Sequence, residues 1–225
     1  MWRGGRSAVS PIVCDRFPIA APHPNVPLQC HTIQSSHPLI AMLAHDPPDL
    51  TPDQYLTFEA ASPTKHEYFD GQIVAMAGAT DAHVTISLNL ATELRSHLRG
   101  SGCRVYISDM KARIDARNRF FYPDLLVTCD PRDTETPTYK RFAKLIVEVL
   151  SDSTESFDRG QKFSDYQTLD RLEEYVLISS QLRRIEIFRR HTDGLWIYQN
   201  YDDGETFQLK SIGYTGTFES LYEDV

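Results

Sequence analysis

The chain has 225 residues, with 23 basic against 31 acidic side chains for a net charge of −8, and 41% of it is hydrophobic. At roughly 150 residues per domain this is one compact domain with an appendage, apolar enough for a real core, which excludes collagen, coiled coil and wholesale disorder. No apolar run approaches the roughly 18 residues of a bilayer span, so no membrane is expected, and the acidic balance argues against coating nucleic acid by bulk charge.

Composition changes near residue 50. Pro11, Pro18, Pro22, Pro24, Pro27, Pro38, Pro47 and Pro48 all precede it, without any sustained period of 2 or 3.6. Residues 1–48 read as a mostly disordered, proline-rich leader, and residues 49–225 as the folded domain. Thr51 and Pro52 suit the cap and first position of a short helix running to about Glu59. Lys65–Phe69 and Gln72–Ala77 read as a hairpin about Asp70-Gly71, a residue pair that tolerates the positive φ angles of a type I′ turn. Val84, Ile86, Leu88, Leu90, Leu94 and Leu98 predict a long helix over Asp81–Arg99, stopped by Gly100-Ser101-Gly102.

Short runs rich in Val, Ile, Leu or Tyr follow at Arg104–Ser108, Lys111–Asp115, Leu125–Thr128 and Lys144–Leu150, and read as strands. A second helix is predicted from Ser156 or Asp158 to Leu169, then a buried strand over Tyr175–Ile178. Arg184–Arg189, Leu195–Tyr201 and Thr206–Lys210 alternate as antiparallel strands, broken at Asp193-Gly194 and Asp203-Gly204. The class is mixed α/β, or α+β, around one central mixed sheet. Cys14, Cys30, Cys103 and Cys129 lie far apart with no C-x-x-C pair, which argues against a zinc site or a secreted disulfide scaffold and fits a reducing, cytoplasmic setting.

Two carboxylates stand in apolar strands: Asp124 at the start of Leu125–Thr128, and Glu148 inside Lys144–Leu150. Unpaired buried carboxylates are costly, and two about 4 Å apart repel by roughly 4 kcal/mol at an effective dielectric of 20. On neighbouring strands they come close enough to share one hard divalent cation, and Mg²⁺ accepts one or two carboxylates while leaving room for a phosphate oxygen and water. The alternative is that each acid is a strand-end residue satisfied by backbone amides. Asp158, Lys162 and Tyr166 recur at spacing four and share a helix face, so Lys162 is either aimed at the carboxylates or engaged in a surface pair with Asp158.

Glu67 beside the hairpin turn and His83 at the start of the long helix are further candidates, although acids and lone histidines at such places are more often solvated or structural residues. Arg183, Arg184, Arg189 and Arg190 with Trp196, Tyr198 and Tyr201 look like a solvated strand face, while Lys140, Arg141 and Lys144 are better placed to touch a DNA backbone. Walker, dinucleotide-binding, serine-hydrolase and H-E-x-x-H signatures are all missing.

Six ordered blocks carry a resemblance: His66-Glu67-Tyr68-Phe69-Asp70-Gly71; Met76-Ala77-Gly78-Ala79-Thr80 with His83; Ser108-Asp109-Met110-Lys111; Tyr122-Pro123-Asp124; Glu148-Val149-Leu150-Ser151; and Asp158-Arg159-Gly160-Gln161-Lys162-Phe163. From about Leu50 onward the chain resembles the PD-(D/E)xK nuclease superfamily, in its bacterial restriction-endonuclease-like branch. The resemblance implies an αβββαβ core, with an N-terminal hairpin and C-terminal antiparallel strands around it. It implies a catalytic Mg²⁺ or Mn²⁺ held by Asp124 and Glu148 with help from the Val149 carbonyl, and hydrolysis of phosphodiester bonds in DNA. The motif lysine expected two residues after the acid is replaced by Leu150, and Lys162 on the following helix occupies the matching place. Glu67 and His83 complete the implied catalytic set. A homodimer is expected by analogy with relatives that cut two strands. The alternative is a catalytically inactive module of the same fold that binds DNA or a protein partner.

Overall fold

Thr51 opens the first helix with a capping box, its hydroxyl accepting from Gln54 N at 3.3 Å while Gln54 Oε1 accepts from Thr51 N at 2.8 Å. A computed structural model describes residues 49–225, so the expected leader over 1–48 lies outside the described residues, as do Cys14 and Cys30. The helix is α1 (Pro52–Ala61), followed by β1 (His66–Phe69) and β2 (Gln72–Ala75). Asp70 (φ 47°) and Gly71 (φ 108°) make the left-handed turn between these strands. A side chain at Gly71 would also meet Asp49, whose Cβ stands 2.8 Å from where its own would lie.

Next come α2 (Asp81–His97), β3 (Arg104–Ile107), β4 (Lys111–Ile114), β5 (Arg119–Phe121), β6 (Leu125–Thr128), β7 (Tyr139–Lys140) and β8 (Ala143–Leu150). The second predicted helix is a composite: α3 (Glu155–Phe157), a widened π turn over Asp158–Lys162, and α4 (Phe163–Tyr166). The chain closes with β9 (Glu174–Ser179), β10 (Arg184–Arg190), β11 (Trp196–Asp202), β12 (Thr206–Leu209), β13 (Tyr214–Thr217) and α5 (Phe218–Leu221). The class is mixed α+β, and no helix among the described residues is long and apolar enough to cross a membrane.

The expectation of one central sheet is corrected to three among the described residues. Their strand orders are β2-β1-β5-β4-β7, β11-β10-β9-β8-β6-β3, and β12-β13. The cause is β5, a three-residue strand too short to show a period, which pairs antiparallel with both β1 and β4 and draws the hairpin into a sheet of its own.

In the six-stranded sheet β6 and β8 are antiparallel and β8 and β9 parallel. Alternation sorts their side chains onto two faces. Leu125, Val127, Leu145, Val147 and Val149 pack against Ile86, Leu90 and Leu94 of α2. Leu126, Ile146 and Leu150 pack on the other side with Tyr166, Leu169 and Tyr175. Burial on both faces explains why β6 and β8 read as continuous apolar runs.

The cysteine reading also changes. Arg104 pairs with Thr128 across β3 and β6, which sets the flanking Cys103 and Cys129 opposite each other, joined as a disulfide. Their sequence separation of 26 hides a neighbour relation that only strand register creates.

Candidate active site

The register Leu125↔Val147 between β6 and β8, extended by one residue, sets Asp124 opposite Glu148. Glu148 shares the parity of Ile146 and Leu150 and so points at the composite helix, where an apolar side chain would otherwise sit. Asp124 N donates to Glu148 Oε2 at 3.4 Å, and Val149 N donates to Asp124 Oδ2 at 2.7 Å, locking the two strand ends together.

Lys162 is buried at the end of the π turn and meets three carboxylates: Glu148 Oε1 at 3.0 Å, Glu67 Oε1 at 3.3 Å and Asp158 Oδ1 at 3.4 Å. Tyr166, one turn on, donates its hydroxyl to Glu148 Oε1 at 3.1 Å. Glu67 comes from β1, the first strand of the hairpin, and also accepts from Tyr122 N at 3.2 Å. His83, in the first turn of α2, brings Nε2 to 2.9 Å from Asp124 Oδ2, but not in line for a hydrogen bond. That buried nitrogen has no hydrogen-bond partner among the described residues. Five sequence-distant elements thus bring Glu67, His83, Asp124, Glu148 and Lys162 together.

The electrostatics are lopsided. Burial raises the Glu148 carboxyl well above its ordinary value, the Lys162 ammonium only partly countering, and Asp158, Asp124 and Glu67 push it the same way. Burial likewise raises Asp124, against the pull of the Val149 amide and of His83. Burial alone would lower Lys162, yet Glu148, Glu67 and Asp158 together hold it well above the usual lysine range, so it stays cationic. Burial, then the nearby Glu148 charge, keeps Tyr166 protonated as a hydrogen-bond donor.

A cavity of about 420 Å³ opens over these groups, floored by Glu67, Asp124, Glu148, Asp158 and Lys162. Among the described residues no three His, Cys, Asp or Glu side chains converge as a preformed metal cage. The donors still suit a hard divalent cation in kind: they are carboxylate oxygens, facing a cavity, with two raised carboxyls whose ionised form a cation would favour.

Sequence reasoning missed a second polar layer behind the first. Glu59, buried near the end of α1, accepts from Tyr122 Oη and from His66 N, both at 2.8 Å, with its other oxygen 3.1 Å from His66 Nδ1. Lys111 is also buried and donates to Tyr122 Oη at 3.1 Å. Nothing in the pattern of α1 marked Glu59, which resembles any polar residue near a helix end. The expected basic contacts are corrected: Lys140 is buried and bonds Asp133 O at 2.7 Å, Arg141 pairs with Asp115 at 3.2 Å, and Lys144 with Glu173 at 3.1 Å. These partners lie outside the cavity lining. Of the arginines, Arg183, Arg184 and Arg189 pair with Asp203, Asp202 and Glu174.

Residues 52–217 match the family model described as "Uma2: Putative restriction endonuclease". Over 185 residues the chain is 41% identical to the uncharacterized protein slr1290 of Synechocystis sp., covering 80% of this chain and 97% of that protein. It is 33% identical over 150 residues to the uncharacterized protein sll1609 of the same organism, covering 66% and 85%. The fold is similar to the crystal structure of a "putative nuclease belonging to DUF820" from Anabaena variabilis. The TM-score is 0.64 at 13% identity, covering 77% of this chain and 97% of that one.

Proposed function

The chain belongs to the Uma2 family, and from that premise we propose that it is a metal-dependent endonuclease hydrolysing phosphodiester bonds in DNA, in the cytoplasm. The observation that carries this reading is the cross-strand pair Asp124 and Glu148 on a cavity floor, with the Lys162 ammonium 3.0 Å from Glu148. Asp124 and Glu148 would hold Mg²⁺ or Mn²⁺, with Glu67 beside them. When bound, such an ion supplies Lewis-acid stabilisation of phosphate charge and an acidified water.

The remaining work falls to the protein's own side chains. Lys162, kept cationic by three carboxylates, serves as a fixed positive charge near the developing charge on phosphorus rather than as a proton acceptor. Tyr166 holds Glu148 in orientation. His83 faces the cavity beside Asp124 with one nitrogen unpaired among the described residues, and is placed to accept or deliver a proton there. The alternative, an inactive module binding DNA or protein, would be favoured by a Lys162 remote from the carboxylates, and the short Lys162 contacts support the enzyme instead.

The test incubates the full chain with supercoiled plasmid and Mn²⁺ or Mg²⁺, alongside Asp124→Ala and Glu148→Ala. Nicking by wild type alone is expected. Equal nicking by either variant would reject the assignment.

A further inference from the structure

Beyond the carboxylates, the cavity is unlike a duplex-binding surface in two ways. Among the described residues its only lysine is Lys162, and no arginine lines it. Lys162 is already engaged by three carboxylates, and the neighbouring candidate cations Lys140, Arg141 and Lys144 are paired elsewhere. A protein that lays duplex DNA across its surface neutralises many phosphates with Lys and Arg. The cations beside this cavity are paired: Lys65, over the Tyr122 ring, with Asp109, and Arg159, next to Asp158, with Glu155 and Glu186. Moreover part of the lining is apolar: Phe69 and Val74 of the hairpin, Met76 just after it, and Phe157, whose ring packs on that of Phe69 with centroids 5.7 Å apart to form one wall. A volume of about 420 Å³ lies in the range of roughly 300 to 1,000 Å³ typical of pockets that enclose a small molecule.

We propose that this cavity takes a single unpaired nucleotide, its base against the Phe69, Val74 and Phe157 wall and its phosphate toward Asp124 and Glu148, so that the substrate is single-stranded DNA. The proposal rests on the nuclease reading above. Aromatic faces accept any base, because every base has a π-face, and an apolar slot excludes a base still paired and stacked in a helix. The hydroxyls of Ser151, Ser153 and Thr154 line the same cavity and provide neutral donors for sugar or phosphate oxygens. Because few phosphates are neutralised, binding should depend only weakly on salt.

The test compares one short labelled oligodeoxynucleotide as a single strand and as a duplex, using the full chain. Binding is read by fluorescence anisotropy in Ca²⁺, and cleavage in Mn²⁺. The single strand should be bound and cut at least about ten-fold better than the duplex. Val74→Trp fills the slot from an exposed position on β2, and should weaken strand binding at least about ten-fold while Mn²⁺ binding by calorimetry is unchanged. A duplex bound and cut as well as the strand would overturn the proposal and leave the nuclease reading standing. Strand-selective binding removed by Val74→Trp, with no cleavage of either form, would support the slot and reject the nuclease reading. Binding of neither form, or strand binding indifferent to Val74→Trp, would overturn the slot.

Discussion

Tyr166 donates its hydroxyl to the oxygen of Glu148 that Lys162 also touches, so one carboxylate oxygen is held from two points of the same helical segment. Both donors approach from the side where β8 would otherwise bury an apolar residue. Tyr166→Phe keeps the ring packing and removes one hydrogen bond to the buried Glu148 carboxyl. We expect a loss of roughly 1 to 3 kcal/mol in urea unfolding, in EDTA and in Mn²⁺. No change in either buffer would show that the contact contributes nothing.

Lys162→Met removes the positive charge from between Glu148, Glu67 and Asp158. Breaking a buried pair by deleting one partner costs about 3 to 5 kcal/mol, so the variant should unfold at markedly lower urea. Cleavage should fall by roughly 100-fold or more, the size of effect seen when one charge-stabilising donor is removed. Wild-type cleavage rates in a folded Lys162→Met protein would remove the lysine from the mechanism.

Glu148 also sets a pH dependence. Its carboxyl is raised in the fold by burial, so between the ordinary glutamate pKa and the raised value the folded state holds a proton that the unfolded chain has released. Stability from this group is therefore complete at low pH and is lost as pH climbs through the raised value. Without metal, wild type should lose melting temperature relative to Glu148→Gln as pH rises from 5 to 8. A difference that stays flat over that range would contradict the raised carboxyl.

The Cys103–Cys129 bridge closes a loop of sequence separation 26, for which loop-closure entropy gives about 3 to 4 kcal/mol. Reductant should lower the melting temperature of the oxidised protein, and Cys103→Ser should be insensitive to it. In a reducing compartment the pair stands as thiols. Mass shifts on alkylation before and after reduction report which form is present.

Tyr122→Phe separates the two polar layers without touching the cavity carboxylates. It deprives Glu59 of a 2.8 Å donor and Lys111 of its 3.1 Å acceptor, both groups being buried. Urea unfolding should report a loss of roughly 1 to 3 kcal/mol. Full stability would mean water replaces the hydroxyl.

Much of this was legible in the chain. β6, β8 and the spacing of Asp158, Lys162 and Tyr166 announced themselves, because a charged residue inside an apolar run and a repeat of four are local signals. What stayed hidden was created by register between distant segments. β5 is three residues long and has no measurable period, so the second sheet did not show. Cys103 and Cys129 become neighbours only through the β3–β6 pairing, and Glu59 joins the site because His66 and Tyr122 both reach it. The partners of Lys140, Arg141 and Lys144, namely Asp133, Asp115 and Glu173, are likewise set by the fold and have no local signal in the sequence.

The π turn over Asp158–Lys162 phases the whole helical contribution to the site. In an ordinary α-helix each residue turns the chain by about 100°, and a π turn is a place where one surplus residue has been absorbed. Asp158 and Lys162 lie within that turn and Tyr166 after it, yet Lys162 and Tyr166 reach the same oxygen of Glu148. Deleting one residue there would restore regular winding and rotate Lys162 and Tyr166 together by about 100° relative to α3, away from the carboxylate, with both side chains still present. This stretch of the chain has to keep its length as well as its side chains.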